Sequence, residues 1–397
     1  MTMENYNTIL LNVDELWLKG KNRPLYYKAA KRHVKEVVKL LHTAPFQIKN
    51  DNQRLVLSSQ ENFCGELIPA LQRIPGLFSI APVRPVAANL EDICRAAISE
   101  TEALVTRPTS FKVFTKRIDK RFPHDSMEVS RQVGGALLEK IEQLRVDVHH
   151  PELKVQIKIT PEWAYVGIRE FKGVGGLPFA MTGNLVTLLS GGFDSPVASY
   201  QMAKRGCRQS FVFFYAYPFV GEDVKEKIIK MSRVLASYQR ESKLYVIPFG
   251  EIQKAIAKTC REEYRTILFR KLMVDAANLL ADKIGADALL SGDALGQVSS
   301  QTIGNISLID QISKRPVFRP LLGNNKAEII ALSRRIGTHD ISVIPHDDAC
   351  SLFAPKHPII KPDKNYWDLY NKQNQFCDAL SDALSNAEVF SFNALGK

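Results

Sequence analysis

A strand-like apolar run that ends in paired glycines sets the terms for this chain. Residues 185–196 read Leu-Val-Thr-Leu-Leu-Ser-Gly-Gly-Phe-Asp-Ser-Pro. The β-prone run stops at Gly191 and Gly192, and a segment of helical character over 196–205 follows at once. Such glycines let the backbone approach a ligand closely and turn its amides towards an anion. Ser195 is placed to cap the helix and Pro196 to open it, where a missing N–H costs nothing. The result is a natural phosphate cradle at the positive end of a helix. No Gly-Lys-Ser/Thr completes the pattern, so this is not a Walker loop. Ser190, Asp194 and Ser195 beside the glycines suggest pyrophosphate in the loop, with Asp194 near a magnesium ion. A tight turn with no ligand explains a bare Gly-Gly equally well.

From residue 184 onwards strands and helices alternate. Strands are expected over 184–189, 210–215, 243–247 and 288–291. Helices are expected over 196–205, 222–238, 266–284 and 326–336, the last closed by Gly337. That alternation predicts a doubly wound parallel sheet with ligands at the carboxyl ends of its strands. Residues 1–62 read as a small α+β unit, with strands over 8–13 and 54–58 around a helix over 24–41. Residues 63–170 alternate helices (89–101, 126–144) with strands (110–115, 153–160, 164–168). A linker is expected over 171–183, where Gly173, Gly175, Gly176, Gly183 and Pro178 cluster. Residues 184–397 complete the chain.

Composition narrows the class. The 397 residues are 45% hydrophobic and 24% charged, as in soluble globular proteins, and the net charge of +11 suggests a polyanionic partner. No stretch is long and apolar enough for a membrane span, and no basic-then-apolar signal opens the chain, so a cytoplasmic protein is expected. The six cysteines contain no C-x-x-C, which fits reduced thiols better than a disulfide scaffold or structural zinc. Lys19, Lys21, Arg23, Lys28, Lys31, Arg32, Lys35 and Lys39 outnumber the single acid Glu36 in their stretch. A solvated helix face accounts for them as they stand. Lys112, Lys116, Arg117, Lys120 and Arg121 offer alternating cations able to track phosphates without reading bases. Phe111 and Phe114 among them suit a core better than a stacking platform.

Ser190-Gly191-Gly192-Phe193-Asp194-Ser195 resembles the pyrophosphatase loop (PP-loop) of ATP enzymes that adenylate an oxygen before replacing it. Leu18-Lys19-Gly20-Lys21-Asn22-Arg23 is similar to the signature of an N-terminal ferredoxin-like domain. Residues 111–117, Lys120-Arg121-Phe122-Pro123 and the paired Gly134-Gly135 are similar to a THUMP domain. The run from Ser291 to Gln301, Ser-Gly-Asp-Ala-Leu-Gly-Gln-Val-Ser-Ser-Gln, resembles a third stretch of one family, the tRNA uracil 4-sulfurtransferases, also called 4-thiouridine synthetases or thiamine-biosynthesis sulfurtransferases. The resemblance covers about 12–362.

It implies an α/β fold class: a C-terminal doubly wound parallel-sheet PP-loop ATPase domain, preceded by a ferredoxin-like α+β domain and a THUMP domain. It implies a transferase in which uridine O4, at tRNA position 8, attacks the α-phosphate of ATP. Persulfide sulfur then displaces AMP. ATP and Mg2+ are the implied cofactors, with the nucleotide meeting Leu188, Leu189, Ser190, Gly191, Gly192, Ser195, Phe213, Phe214, Arg270, Gly292 and Gln301. Phe213-Phe214 departs from the His-Phe of many relatives. Lys326 is a further phosphate candidate or simply an exposed helix lysine. Asp194 and Cys350 are the implied catalytic residues. Cys350 aligns with the second cysteine of a family Asp-Cys-Cys, and Ala349 replaces the first. The basic residues of both N-terminal domains are expected to face tRNA.

The implied partners are tRNA, a cysteine desulfurase as persulfide donor, a sulfur-carrier protein of thiamine synthesis and a second copy in a homodimer. The stretch after Pro362 is too short for a rhodanese domain, so Cys350 is expected to receive sulfur directly or to work with another thiol. Cys207 is nearest in sequence, and a packed strand-end cysteine is its plainer reading. An iron–sulfur cluster on Cys207, Cys260 and Cys350 is the alternative, with the missing C-x-x-C against it. Two other classes stand beside the sulfurtransferase: a PP-loop ligase on a carboxyl or amide, and a non-catalytic tRNA-binding protein.

Overall fold

The computed structural model describes residues 6–51, 54–345, 353, 355, 357–363 and 376–397. It divides into two compact units, one mainly residues 1–175 and the other mainly 176–397.

The first unit carries two sheets. Its first half runs β1 (Thr8–Val13), α1 (Arg23–Leu41), β2 (Phe46–Asp51), β3 (Arg54–Ser59), α2 (Leu67–Gln72) and β4 (Leu77–Pro82). In α1 the apolar positions Ala30, Val34, Val37 and Val38 recur at helical spacing and are buried, while the lysines point outward. Its second half runs β5 (Arg84–Ala87), α3 (Leu90–Glu102), β6 (Thr109–Arg117), α4 (Ser126–Lys140), β7 (Leu144–Val146), β8 (Leu153–Ile159), β9 (Trp163–Gly167) and β10 (Phe171–Lys172). Asn89 and Asp125 cap α3 and α4 by accepting from the backbone N–H three residues on. Phe111, Val113, Val155 and Ile157 alternate along β6 and β8 to meet Val129, Val133 and Leu137 of α4.

The first sheet has the order β10-β4-β1-β3-β2, and the second β5-β9-β8-β6-β7. The boundary expected at 62/63 therefore needs correction. β4 lies beyond it yet pairs with β1, from Ile9↔Pro82 to Val13↔Leu77. The expected linker likewise begins with a strand, because Phe171 and Lys172 pair with Ile80 and Ser79. Helix spacing made α1 visible, whereas β2 and β4 alternate too little to stand out.

The second unit runs β11 (Asn184–Leu188), α5 (Asp194–Lys204), β12 (Arg208–Tyr215), α6 (Glu222–Ala236), β13 (Glu241–Pro248), α7 (Gly250–Thr259), α8 (Arg265–Ile284), β14 (Ala288–Leu290), α9 (Ile303–Ile312), β15 (Val317–Phe318), α10 (Lys326–Ile336), α11 (His339–Ser342), α12 (Cys377–Ser385) and β16 (Glu388–Asn393). Its sheet has the order β15-β14-β11-β12-β13-β16, all parallel except β16, which pairs antiparallel with β13. Successive residues of β12 feed opposite cores. Phe211, Phe213 and Tyr215 meet Ile228, Met231 and Leu235 of α6, while Val212 and Phe214 join the core that includes α7 and α8. Burial on both faces explains the nearly continuous apolar run of this strand. Gly176 is held at φ +77°, with Lys204 O only 2.0 Å from where a Cβ would sit, so glycine alone fits there.

Strand order reverses at β11: the chain builds β12 and β13 on one side, then crosses back to lay β14 on the other. A crevice at the carboxyl ends of such strands is where open α/β sheets take ligands.

Candidate functional site

The loop after β11 and the loop after β14 both leave the sheet at this reversal, and they touch. A Cβ on Gly292 would lie 2.5 Å from Ser195 N and 2.6 Å from Ser195 Cα. The start of α5 thus rests directly on the Gly292 backbone, and any side chain there would push the helix away. Two motifs about 100 residues apart in sequence form one surface.

Within the first loop, Ser195 does not cap the helix as expected. α5 begins at Asp194, after Phe193, and Ser195 sits in its first turn. The Ser195 hydroxyl accepts from Ser190 N–H at 2.8 Å and lies 3.0 Å from Ser190 Oγ, so it ties the loop across its own base. Pro196 still falls among the first helical residues, whose N–H groups have no partner within the helix. The N–H groups of Gly191, Gly192 and Phe193 donate to no described residue. Among the described residues, then, three amide donors at the positive end of α5 have no acceptor.

Around them stand fixed charges. Lys326, the first residue of α10, donates to both carboxylate oxygens of Asp194 at 2.9 Å and to Gln297 Oε1 at 3.3 Å. Its ammonium also lies 5.5 Å from the Phe193 ring centre. Half-exposed as it is, Lys326 is tied to the loop, which favours the phosphate reading over that of an idle helix lysine. Asp293 is buried between two guanidiniums, with Arg270 Nη2 at 2.5 Å and Arg319 Nε at 3.0 Å. Burial pushes its carboxyl up, but the Arg270 charge and hydrogen bond, helped by Ser291 and Arg319, hold it below the usual carboxylate range. Arg270 also donates to Ser300 O at 3.3 Å and Ser300 Oγ at 3.0 Å. Gln301 Nε2 is 3.4 Å from Asp293 Oδ1, while Gln301 Oε1 and Gln297 Nε2 are buried without a partner among the described residues. Buried amide atoms left open beside a crevice are what a polar ligand would satisfy.

The sequence-derived residues sort as follows. Leu188, Leu189, Ser190, Gly191, Gly192, Asp194, Ser195, Gly292, Arg270 and Gln301 gather at these strand ends. Phe213 and Phe214 also lie towards the carboxyl end of β12, with their rings packed into the two opposite cores. Cys350 lies outside the described residues. Cys207 precedes β12, at the far end of the sheet from the loops. It is buried beside Thr182 Oγ1 at 3.2 Å, and burial pushes its thiol up, so the packed reading holds. Among the described residues no group of three or more His, Cys, Asp or Glu side chains is arranged to hold a metal ion. Arg319 and Gln297 were missed. Arg319 was findable, since it directly follows the short apolar pair Val317-Phe318 that becomes β15.

In the first unit, Lys19 lies 5.1 Å from the Tyr26 ring centre and Lys112 lies 4.8 Å from that of Phe114. Phe111 is fully buried but Phe114 is exposed, so only the former is a core residue. Lys21, Arg23, Lys116 and Lys120 belong to the same basic surface stretches. Arg23 Nε, however, donates to Leu16 O at 3.0 Å. Arg121 pairs with Asp119 at 3.0 Å, and Arg117 donates to the carbonyls of Phe122 and His124 at 3.0 and 2.8 Å. The last is a brace for its own loop.

Three family models match the chain in order: the ThiI ferredoxin-like domain over residues 8–81, the THUMP domain over 87–169, and Thiamine biosynthesis protein (ThiI) over 180–376. A probable tRNA sulfurtransferase from Acetivibrio thermocellus is 36% identical over 387 residues, covering 96% of this chain and 98% of its own. A second, from Moorella thermoacetica, is 38% identical over 387 residues, covering 97% and 98%. The chain belongs to the tRNA sulfurtransferase family. A solved 4-thiouridine synthetase–RNA complex with bound ATP matches with TM-score 0.89 at 28% identity, covering 98% of this chain and 100% of that one. PH1313 from Pyrococcus horikoshii shares the fold alone, with TM-score 0.65 at 23% identity over 83% of this chain and 99% of that one. The two sheets of the first unit are thus those of the family's ferredoxin-like and THUMP domains, and the third belongs to its PP-loop domain. The family boundary between the first two falls at 81–87, as the pairing of β4 requires.

Proposed function

We propose that this member of the family is an ATP-dependent uridine 4-sulfurtransferase acting on position 8 of tRNA. The observation that carries the reading is the junction of the Gly191-Gly192 loop with Gly292, where backbone donors without a partner among the described residues converge with cations at the sheet's reversal. Uracil O4 is a poor leaving group. Attack by O4 on the α-phosphate of ATP releases pyrophosphate and turns that oxygen into part of a good leaving group, AMP. Charge builds on the departing diphosphate, and loop amides with Lys326 are placed to receive it. That a solved 4-thiouridine synthetase of the same fold was found with bound ATP supports ATP as the nucleotide.

Asp194 offers its carboxylate at the mouth of the loop. One carboxylate plus substrate phosphates suits Mg2+, which seldom has an all-protein cage. The ion would supply charge neutralisation; Asp194 would orient it once Lys326 turns to phosphate. Cys350 is assigned the sulfur. A cysteine desulfurase would load it as a persulfide, and its terminal sulfur would attack C4 as AMP leaves; a second thiol would then cleave the resulting S–S bond, freeing 4-thiouridine and leaving a disulfide with Cys350. A sulfur-carrier protein of thiamine synthesis is a second acceptor for the same sulfur, and a homodimer is the proposed assembly. Lys19, Lys21, Lys116 and Lys120 would meet tRNA phosphates, while Lys112 also donates to Val148 O at 2.9 Å.

The test is AMP release and base mass in one reaction with unmodified tRNA, ATP, Mg2+ and persulfide donor. The wild-type chain should release AMP only with tRNA and yield 4-thiouridine. Cys350→Ser should keep adenylation but form no thiouridine. Normal thiouridine from that variant would remove Cys350 from the chemistry, and AMP formed on a carboxylate substrate instead would favour the ligase class.

A further inference from the structure

We infer that Ser342 and Lys227 are positioning residues for the diphosphate grip: together they fix the direction in which one peptide of the glycine loop points. The inference rests on the functional reading above and adds residues that none of the sequence motifs contains.

Lys227 lies on the buried face of α6 and is 3% exposed. A lysine is rarely buried so completely without a specific partner. Its ammonium donates to the carbonyls of Ser342 at 3.1 Å and Ile344 at 2.7 Å, which end and follow the four-residue helix α11. Helix-terminal carbonyls are natural acceptors for such a cation. At that carboxyl end the Val343 N–H bonds back to His339 O and Ile341 O, and the ammonium adds a charged hold on the carbonyls of Ser342 and Ile344.

From that anchored end the Ser342 hydroxyl donates to Gly192 O at 3.1 Å. A trans peptide points its C=O and N–H in opposite directions. Holding Gly192 O on Ser342 therefore aims the N–H of Phe193 away from α11. That N–H is one of the three donors without a described partner. Adjacent glycines cannot set this orientation themselves, because they restrict the backbone least. A flipped peptide would offer phosphate a carbonyl instead of a donor. The ring of His339, at the other end of α11, lies 5.6 Å from the Phe193 ring and braces the same junction.

The test compares wild type with Ser342→Ala, Ser342→Thr, Lys227→Met and Lys227→Arg. Deleting an oxyanion donor typically costs a hundredfold or more, so loosening one is expected to lower kcat of tRNA-dependent AMP release roughly tenfold in Ser342→Ala. KM for ATP should stay within about threefold, because the grip tightens as pyrophosphate departs. Ser342→Ala should weaken inorganic pyrophosphate binding, read by calorimetry, and leave the melting temperature nearly unchanged. Ser342→Thr and Lys227→Arg should restore kcat; Lys227→Met should not. If Lys227→Met fails to fold, the serine pair decides alone. Wild-type kcat and pyrophosphate affinity in Ser342→Ala would overturn the inference, as would a loss that follows melting temperature. Absence of AMP release from wild type would overturn the functional reading instead, while pyrophosphate binding would still judge Ser342.

Discussion

Asp293 shows how much one side chain in this crevice carries. It neutralises both Arg270 and Arg319. Arg319 also pairs with Asp310 at 2.7 Å, whereas the other acceptors of Arg270 are the neutral oxygens of Ser300. Asp293→Asn should destabilise the protein by about 3 kcal/mol at pH 7, because the guanidiniums lose a buried counter-charge. The pH dependence follows from its depressed pKa. Its stabilisation is complete above the unfolded value of about 3.9 and is lost as pH falls through the lower folded value. Urea midpoints of wild type and Asp293→Asn should therefore differ most near neutral pH, and the gap should shrink as pH falls below the usual carboxylate range. A constant gap would mean that the carboxylate charge is not what matters. At this scale the chain was partly legible. Gly292 and Gln301 stand in a dense motif, but the reason for Gly292 is a helix start about 100 residues earlier, which spacing cannot show. Ser195 was misread as a cap because its hydrogen bond runs back to Ser190 instead of forward to a helical N–H.

Among the elements, α10 matters most for the crevice because it delivers Lys326. Asn325 accepts from Glu328 N–H at 3.0 Å, and Glu328 Oε2 accepts from Asn325 N–H at 3.1 Å, forming a capping box. Asn325→Ala should cost about 1 kcal/mol in chemical denaturation and lower AMP release more than stability alone explains, since Lys326 is the next residue. Unchanged turnover would show that Lys326 needs no fixed helix start. Gly292→Ala sets two elements against each other. Its Cβ would press on the α5 backbone, and a loss of about 1–3 kcal/mol in urea denaturation is expected. Periodicity revealed α10 and α6, whose apolar stripes are strong, while α8 shows as a long apolar segment buried on most of its faces. It missed β16, a half-exposed edge strand of Glu-Val-Phe-Ser-Phe-Asn, and β15, which is only two residues long. Both belong to the sheet through long-range pairing that leaves little local trace.

Across the whole molecule, the net charge of +11 now has a residue-level distribution. Arg117 and Arg23 already donate to backbone carbonyls and Arg121 to Asp119 at the surface, whereas Lys19, Lys21, Lys116 and Lys120 are expected to meet phosphate. Replacing those four lysines with alanine should weaken tRNA binding. It should also flatten the dependence of log K on log salt by about 0.7–0.9 for each phosphate left without its lysine. Filter binding across a range of salt concentrations would measure both, and an unchanged slope would place the RNA elsewhere. Arg117→Ala should instead lower thermal stability. The order of three domains could be read from composition and motif, but the 62/63 division could not, because a sheet closes where its last partner arrives.

The reversal at β11 has a consequence for how the crevice comes into being. Leu185 pairs with Ala288, so the wall that faces the glycine turn is supplied by chain synthesised about a hundred residues later. Until that late strand docks, the early turn is a signature without a receptor. A fragment cut anywhere in α7 or α8 should keep every letter of the motif and hold no nucleotide.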